Sequence, residues 1–278
     1  MKLRNSLVYS LLSIVLLPCP LFAEPNALAQ GLVQADGLGT VDTAKTRNLI
    51  QAKLLAKRAA IVDAQRNLLE MVEGVRVTSG TTVKDAQVES DIVANRVKGL
   101  LKGAFILSEK TSKEEGTYLA EVTLGMCITA AVQKCAARPN LAQVVYDVLP
   151  KTAEKDIYRP NDKLEGVESG FSGLIVDLSS IEIEPQFSMR LVTQEGKEVY
   201  GPGHFDSRSG SDWLHWEKTL TAAKQSAIAG DRPLVVTASE TKNDSDIILS
   251  DEDALKTYSA NQKGGDFLHK GKVIFVVN

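Results

Sequence analysis

Residues 52–72, AKLLAKRAAIVDAQRNLLEMV, decide the fold of this chain. Apolar pairs recur in this stretch every seven residues, at Leu54–Leu55, Ile61–Val62 and Leu68–Leu69. That spacing places the pairs on one face of a helix, and the alanines between them keep the helix narrow enough to lie close to a sheet. Gly74 is a typical helix end. The stretch therefore predicts a long helix, from about Asp42 to Val72, that packs on a sheet.

The segments around this helix have the patterns of strands and of a hairpin. A short apolar run precedes the helix and is ended by Gly37 and Gly39. The predicted order in the N-terminal half is a strand at Leu32–Leu38, the long helix, a strand at Val75–Thr78, a polar helix at Asp85–Val97 and a hairpin of Ala104–Thr111 with Thr117–Met126. This order is typical of an α+β fold, in which helices cover one face of a small, mainly antiparallel sheet.

The C-terminal half predicts a second small α+β domain, again with a mainly antiparallel sheet. Its predicted elements are a strand at Ser172–Leu178, a hairpin of Ser188–Val192 with Lys197–Tyr200, a helix from Ser211 or Asp212 to Ile228, strands at Leu234–Ala238 and Ile247–Leu249, a short helix capped by Ser250 and a strand at Lys272–Val277. The predicted organisation is a signal peptide at 1–23, an α+β domain at 24–133, a proline-containing connector at 134–171 and the second domain at 172–278.

Residues 1–23 have the layout of a secretory signal. A short basic segment is followed by an apolar run at Leu7–Leu17, two prolines, and a small residue at Ala23. The apolar run is about eleven residues long, too short to span a hydrocarbon core of roughly 30 Å. We therefore predict export with cleavage after Ala23, and Ala29 is a second candidate cleavage position.

The cysteines divide between the signal and the mature chain. Cys19 is preceded by Leu-Leu-Pro, and proline directly before the cysteine fits a lipidation signal poorly. A periplasmic product is favoured, and an outer-membrane lipoprotein anchored through Cys19 is the alternative. Cys127 and Cys135 remain, and a pair in an oxidising compartment predicts a disulfide. Two free buried thiols are the alternative, whereas zinc is disfavoured because no histidine lies nearby.

Charge and motifs favour no particular chemistry. The full chain has a formal charge of −3, which becomes −5 when Lys2 and Arg4 are removed with the signal. Such a chain has no overall electrostatic reason to bind nucleic acid or anionic lipid. The sequence contains no Gly-x-Ser-x-Gly elbow, no His-Glu-x-x-His, no Cys-x-x-Cys and no phosphate-binding loop. We therefore predict no catalytic residue, no cofactor and no metal site.

Two groups of side chains are candidate metal ligands. The three histidines, His204, His215 and His269, are scattered along the sequence and are predicted to be surface or structural residues, although two of them could meet in space. The acidic cluster near the last short helix lacks the glycine and distal glutamate of a calcium loop, so helix capping explains it better; its members are Asp244, Asp246, Asp251 and Asp253.

Two alternatives to a structural protein depend on other residues. A periplasmic hydrolase would need Asp177, Asp206 and His204 to meet in one cleft. A glycan- or lipid-binding module would need Trp213 and Trp216, three residues apart on the predicted helix, to be exposed, whereas we expect both indoles to be buried.

Part of the N-terminal half resembles a known family. The residues that carry the resemblance are Ala56–Glu70, Gly74–Val77, Gly99 and Gly103–Phe105. They are similar to the LPP-twenty family of bacterial envelope lipoproteins and to the N-terminal domain of flagellar assembly protein T, over residues 30–128. The resemblance implies a non-catalytic envelope protein linked to the flagellar basal body or the outer membrane. We expect a structural or protein-interaction component with envelope or flagellar partners, peripheral outer-membrane association and homo-oligomers, and with a cell-wall hydrolase or glycan-binding module as the alternative.

Overall fold

The computed structural model describes residues 27–160, 168–205, 212–238 and 240–277. The helices in these ranges are α1 (Ala27–Gln30), α2 (Leu49–Glu73), α3 (Val83–Glu89), α4 (Asp91–Lys102), α5 (Leu141–Val145), α6 (Leu220–Gln225) and α7 (Asp251–Lys263). The strands are β1 (Leu32–Asp42), β2 (Arg76–Thr78), β3 (Thr81–Thr82), β4 (Phe105–Glu114), β5 (Thr117–Cys127), β6 (Gly173–Asp177), β7 (Arg190–Val192), β8 (Glu198–Tyr200), β9 (His215–Glu217), β10 (Pro233–Thr237), β11 (Glu240–Lys242), β12 (Asp246–Ile248) and β13 (Val273–Val276). The predicted α+β class is confirmed. The predicted signal peptide, with Cys19, lies outside the described residues.

The N-terminal half is an antiparallel sheet covered by α2 on one face. Its strand order is β1-β5-β4, with β1 and β5 paired from Leu32–Cys127 to Asp42–Thr117. Burial alternates along β1, because Val33 and Ala35 face α2 whereas Gln34 and Asp36 face solvent. The predicted β4–β5 hairpin is confirmed, and its two-residue turn places Glu115 and Gly116 at positive φ.

Gly37 and Gly39 do not end the first strand, contrary to the prediction, because β1 continues through both to Asp42. The glycines instead let α2 come close to the sheet. A Cβ at Gly37 would lie 2.1 Å from the carbonyl oxygen of Ala60, and one at Gly39 would lie 2.1 Å from that of Ala56. Any larger residue at either position would therefore collide with the helix backbone.

The face that α2 buries is also different from the predicted one. Its buried residues recur every four positions and are mostly small: Ala52, Ala56, Ala60, Ala64, Leu68 and Val72. Leu54, Leu55 and Val62, which were predicted to face the sheet, are 56, 40 and 56% exposed. The glycine pair on β1 accepts only a narrow helix face, and the alanine stripe is narrower than the leucine face. The helix begins at Leu49, later than predicted, because the Asn48 side chain accepts a hydrogen bond from the Gln51 backbone N–H and caps it.

Two shorter helices replace the polar helix predicted at Asp85–Val97. The break falls at Ser90, whose hydroxyl accepts a hydrogen bond from the Val93 backbone N–H and starts α4. A reciprocal pair of hydrogen bonds between Thr82 and Asp85 caps α3. Local capping therefore divides a segment whose apolar pattern favours one helix.

The C-terminal half contains a parallel sheet, which corrects the prediction of a mainly antiparallel one. The order β10-β6-β13-β9 is parallel throughout, and a second, mixed sheet has the order β11-β12-β7-β8. All four residues of β13 and all but Asp177 of β6 are buried. Continuous apolar strands are typical of parallel sheets, which are covered on both faces. The β7–β8 hairpin and the Ser250 cap are found as predicted.

The helix predicted from Ser211 or Asp212 to Ile228 does not form as predicted. Residues His215–Glu217 form β9, and α6 begins only at Leu220, after the Thr219 cap. Trp213 and Trp216 are both buried in the interior. Residues 215–217 pair with β13 as a strand, and this pairing takes the place of the predicted helix. Ser211 lies outside the described residues.

The described part of the predicted connector packs between the two halves. Leu141 and Val145 are fully buried in a hydrophobic cluster that runs through both halves. The Tyr146 hydroxyl shares its one proton between the carbonyl oxygens of Pro202, at 2.8 Å, and Phe205, at 3.1 Å. Residues 134–160 therefore join the two halves through a shared interior rather than through a free linker.

Candidate functional site

The predicted disulfide between Cys127 and Cys135 is present, with a sulfur–sulfur distance of 2.00 Å. Cys127 is the last residue of β5, and Cys135 ends a one-turn 3₁₀ helix at Gln133–Cys135. Both residues are buried. The bond therefore holds the start of the connector against the end of the central strand of the N-terminal sheet. In the described ranges, no helix is long and apolar enough to cross a membrane.

Two of the three histidines meet, and the third lies apart. The imidazole Nδ1 of His204 is 3.0 Å from Glu198 Oε1, and Nδ1 of His269 is 2.9 Å from the carbonyl oxygen of His204. His215 is buried on β9. Within the described residues no three His, Cys, Asp or Glu side chains form a group suited to a metal ion.

The residues proposed for a hydrolase are not joined where the structure describes them. An oxygen of Asp177 accepts a hydrogen bond from the Ser179 backbone N–H at the end of β6. The acidic partner of His204 is Glu198, and Asp206 lies outside the described residues. The geometry therefore gives His204 a hydrogen-bonded carboxylate that sequence reasoning had not selected.

The two tryptophans are buried, as expected. Trp213 is 1% exposed and its indole N–H donates to the carbonyl oxygen of Phe187 at 3.3 Å. Trp216 is 4% exposed, and its ring centroid lies 5.3 Å from that of Phe275. Neither indole presents a face to solvent on which a sugar ring could stack.

The acidic residues near α7 have separate structural partners. Asp251 and Asp253 lie in the first turn of α7, where carboxylates interact favourably with the positive end of the helix dipole. Asp246 pairs with Arg190, and Asp244 occupies a turn at positive φ. The cluster is therefore accounted for by capping, turn formation and an ion pair.

A buried polar cluster around Glu198 was missed by sequence reasoning. Glu198 is 1% exposed and accepts hydrogen bonds from the Thr152 hydroxyl and from His204. Arg190 lies 3.7 Å from Glu198 Oε2 and 2.6 Å from Asp246 Oδ1. Burial raises the pKa of Glu198, but the hydrogen bonds from His204 and Thr152 and the charge of Arg190 outweigh it, so the net shift is downward. The cluster therefore joins the connector, through Thr152, to the second sheet.

A second polar contact, around Asp212, links the two halves. Its carboxylate accepts hydrogen bonds from the Ala130 backbone N–H and from Asn140 Nδ2, the latter at 3.2 Å. Burial raises the pKa of Asp212 to about 6, although both hydrogen bonds act in the opposite direction. Burial also lowers the pKa of His215 to about 4, although its Nε2 lies 3.0 Å from the Asp212 carbonyl oxygen.

These two pKa shifts affect stability with opposite signs. The pKa of His215 falls below its ordinary value of 6.5, so the folded protein favours the neutral imidazole. The contribution of His215 to the free energy of unfolding is therefore lost as pH falls from 6.5 to about 4. The pKa of Asp212 rises above its ordinary value of 3.8, so stability is lost as pH rises from 3.8 to about 6. Between about pH 4 and 6 the two contributions oppose each other.

The strongest candidate for an interaction site is the outward face of α2, opposite its alanine stripe. We define this face by Ile50, Leu54, Leu55 and Val62, all of which are exposed. Ile50 alone is 73% exposed. Exposed apolar side chains grouped on one surface commonly mark sites of protein or membrane interaction. Arg58 lies on this face one turn after Leu54, and Lys53 lies at its edge, three residues after Ile50; both are exposed and have no ion-pair partner in the described ranges.

Comparison with known proteins covers only the C-terminal half. Residues 173–278 match the family model of the second domain of Treponema pallidum Tp0624. The match begins at the first residue of β6, one residue after the predicted domain start at 172, and extends beyond β13. It therefore covers the parallel sheet and the mixed sheet together. No curated protein matches the chain.

Proposed function

We propose that this chain is a non-catalytic, exported envelope protein that acts as a structural or protein-interaction component in the periplasm. The observation that carries the proposal is the outward face of α2, because apolar residues stand there in solvent while alanines pack on the sheet. The secretory layout of residues 1–23 and the disulfide support an exported location. Pro18, directly before Cys19, favours a periplasmic product over the alternative of an outer-membrane lipoprotein.

The partner that fits this face is an envelope protein that presents apolar and acidic side chains together. Ile50 and Leu54 lie one turn apart and would enter an apolar groove as anchors. Lys53 and Arg58 flank them and would pair with carboxylates at the rim, where charge governs specificity and association rate. Proteins of the flagellar basal body or of outer-membrane assembly are the first candidates, as the resemblance of residues 30–128 implies.

The test is site-specific crosslinking in intact cells. A photo-crosslinking amino acid replaces Leu54 on the outward face, and the same amino acid replaces Val88 on α3 as the control. Val88 is 84% exposed, so both positions accept the substitution without disturbing the core. We expect an adduct with one envelope protein from position 54, and we expect Ile50→Glu to abolish it because a carboxylate would be carried into the apolar contact.

The outcomes separate the proposal from its competitors. An adduct that persists in the Ile50→Glu variant, or that forms equally from position 88, would contradict docking through this face. An adduct with a second copy of the chain would replace the envelope partner with a homo-oligomer. Crosslinking to lipid alone would make the face a membrane-binding surface instead.

A further inference from the structure

A crevice of about 310 Å³ opens beside the disulfide, away from the outward face of α2. It lies between the C-terminal end of α4, the start of β4 and the chain that follows Cys135. Its walls are mainly apolar and include Leu100, Phe105, Met126 and Val144. Ligand sites in proteins are typically about 300–1,000 Å³ and mostly apolar, with a few polar groups that fix orientation. The crevice therefore has the size for one small ligand.

The polar groups of the crevice are cationic. Arg138 lies at its edge, with the guanidinium carbon 4.2 Å from the Phe105 ring centroid and Nε donating to the Lys134 carbonyl oxygen at 3.1 Å. Among the described residues no carboxylate pairs with Arg138 or Lys134. Arg96, the other arginine of the lining, is paired with Asp147 at 2.7 Å. In the described ranges Arg138 is thus left without an acidic partner beside the apolar wall, and so is Lys134, which lies outside this lining.

Arg138 also borders a second opening. This neighbouring crevice, of about 290 Å³, is lined by Phe105, Leu107, Lys134 and Arg138. Phe105 also lines both openings, and its ring holds the guanidinium there by a cation–π contact. A planar guanidinium held in this way can donate two parallel hydrogen bonds to a carboxylate or a phosphate.

The wall provided by α4 is open because it contains glycine. An added Cβ at Gly99 meets no atom within 4 Å, although Gly99 lies in the helix and lines the crevice. Glycine destabilises a helix interior by roughly 0.5–1 kcal/mol relative to alanine. A side chain at Gly99 would therefore enter open space at this wall of the crevice.

We propose that this crevice binds a single-chain anionic amphiphile. The alkyl chain lies against Leu100, Met126 and Val144, and the carboxylate or phosphate head group accepts hydrogen bonds from Arg138, with Lys134 supplying a second positive charge. The volume of about 310 Å³ matches one alkyl chain. The proposal is independent of docking through α2, because none of its residues belongs to the outward face.

The proposal is tested by titration calorimetry on the purified mature chain with three ten-carbon probes. Decanoate and decyl phosphate carry the two candidate head groups, and decanol carries none. We expect both anions to bind at one site, and decanol to bind about tenfold or more weakly, because it cannot form charge-assisted hydrogen bonds with Arg138. Arg138→Gln should weaken both anions by a similar factor, and Lys84→Gln on α3 is the matched control.

Gly99→Leu provides a second, steric arm. Leucine fills the crevice and also favours the helix, so this variant should fold and yet lose binding of both anions. Saturable binding of decanoate that Gly99→Leu leaves unchanged would overturn the proposal, as would an absence of saturable binding by either anion. Equal affinity for decanol would overturn the assignment of the head group. Ile50→Glu should leave decanoate binding unchanged, because Ile50 lies on the outward face of α2 and not in the crevice. Loss of decanoate binding in this variant would contradict the assignment of the site to the crevice.

Discussion

Replacing Gly37 with alanine should destabilise the N-terminal half far more than a single methyl group suggests. The new Cβ would lie 2.1 Å from the Ala60 carbonyl oxygen and 2.2 Å from the Ala64 backbone nitrogen. Neither atom belongs to a flexible side chain, so the collision cannot be relieved by a rotamer change. The whole of α2 must move away from β1.

The size of the effect follows from that movement. Ordinary contact begins at 3.4 Å, so α2 must withdraw by roughly 1.3 Å at this point. A gap of 0.5–1 Å already removes about a quarter to a half of each dispersion contact it opens. Overpacking of this kind costs about 1–3 kcal/mol. We expect about 3 kcal/mol, because the alanine stripe has no long side chains that could fill the gap.

The assay is urea denaturation of the mature chain followed by circular dichroism, together with thermal melting. A loss of about 3 kcal/mol corresponds to a fall in Tm of roughly 6–12 °C for a chain of this size. Gly99→Ala is the control: its Cβ meets nothing within 4 Å, and alanine should stabilise α4 by about 0.5–1 kcal/mol. If Gly37→Ala unfolds within about 0.5 kcal/mol of the wild type, then β1 and α2 are not held in backbone contact and the argument fails.

Three further perturbations test the polar contacts and the disulfide. Asp212→Asn removes one titrating group and leaves His215 as the other. The free energy of unfolding should then rise by about 3 kcal/mol between pH 4 and 6.5, more steeply than in the wild type, where Asp212 opposes His215. Urea denaturation at a series of pH values measures both slopes. Reducing the disulfide, which closes a loop with a sequence separation of 8, should lower stability by about 2–3 kcal/mol, measured by denaturation with and without reductant. Arg190→Met leaves the buried Glu198 without the Arg190 charge and should lower the free energy of unfolding by about 2–3 kcal/mol at pH 7, and by less at pH 4, where carboxylates take up protons. An equal loss at both pH values would show that packing, not charge, is responsible.

Much of the N-terminal half could be predicted because its signals are local. The β4–β5 hairpin follows from alternation along each arm and from Glu115–Gly116 at the turn. The end of α2 at Gly74 follows from helix-capping chemistry. Each of these features depends on residues a few positions apart, so the sequence pattern contains the necessary information.

The orientation of α2 could not be predicted from hydrophobicity. The periodicity of the leucine pairs is genuine, but a pattern of apolar residues does not record the width that the opposing surface accepts. Gly37 and Gly39 set that width, but in the sequence they indicate a strand end, because glycine is usually unfavourable inside a strand. The helix predicted after Asp212 failed for a related reason, since the burial of Trp213 and Trp216 depends on β13, far along the chain.

The polar contacts were beyond sequence reasoning for a different reason. The cluster around Glu198 is assembled from separate segments of the chain, which contribute Arg190, Thr152 and Asp246. The sequence predicts only one of these encounters, that of Arg190 and Glu198 across the β7–β8 hairpin. The disulfide was predictable because two cysteines allow a single pairing. The crevice beside it was not, because its cationic edge depends on how Arg138 packs over Phe105.

The position of β13 has a consequence for the order in which the chain folds. This strand pairs with β6 on one side and with β9 on the other. The middle of the parallel sheet can therefore form only when β6 and β13, about a hundred positions apart in the sequence, have come together. Contacts of such long sequence separation form slowly, because the loop between them must be closed first. The hairpin and α2 of the N-terminal half can form from nearer contacts. As the chain emerges from N- to C-terminus, the hairpin and α2 can therefore form while the parallel sheet waits for residues 273–276, and its unpaired apolar strands would need protection during that interval.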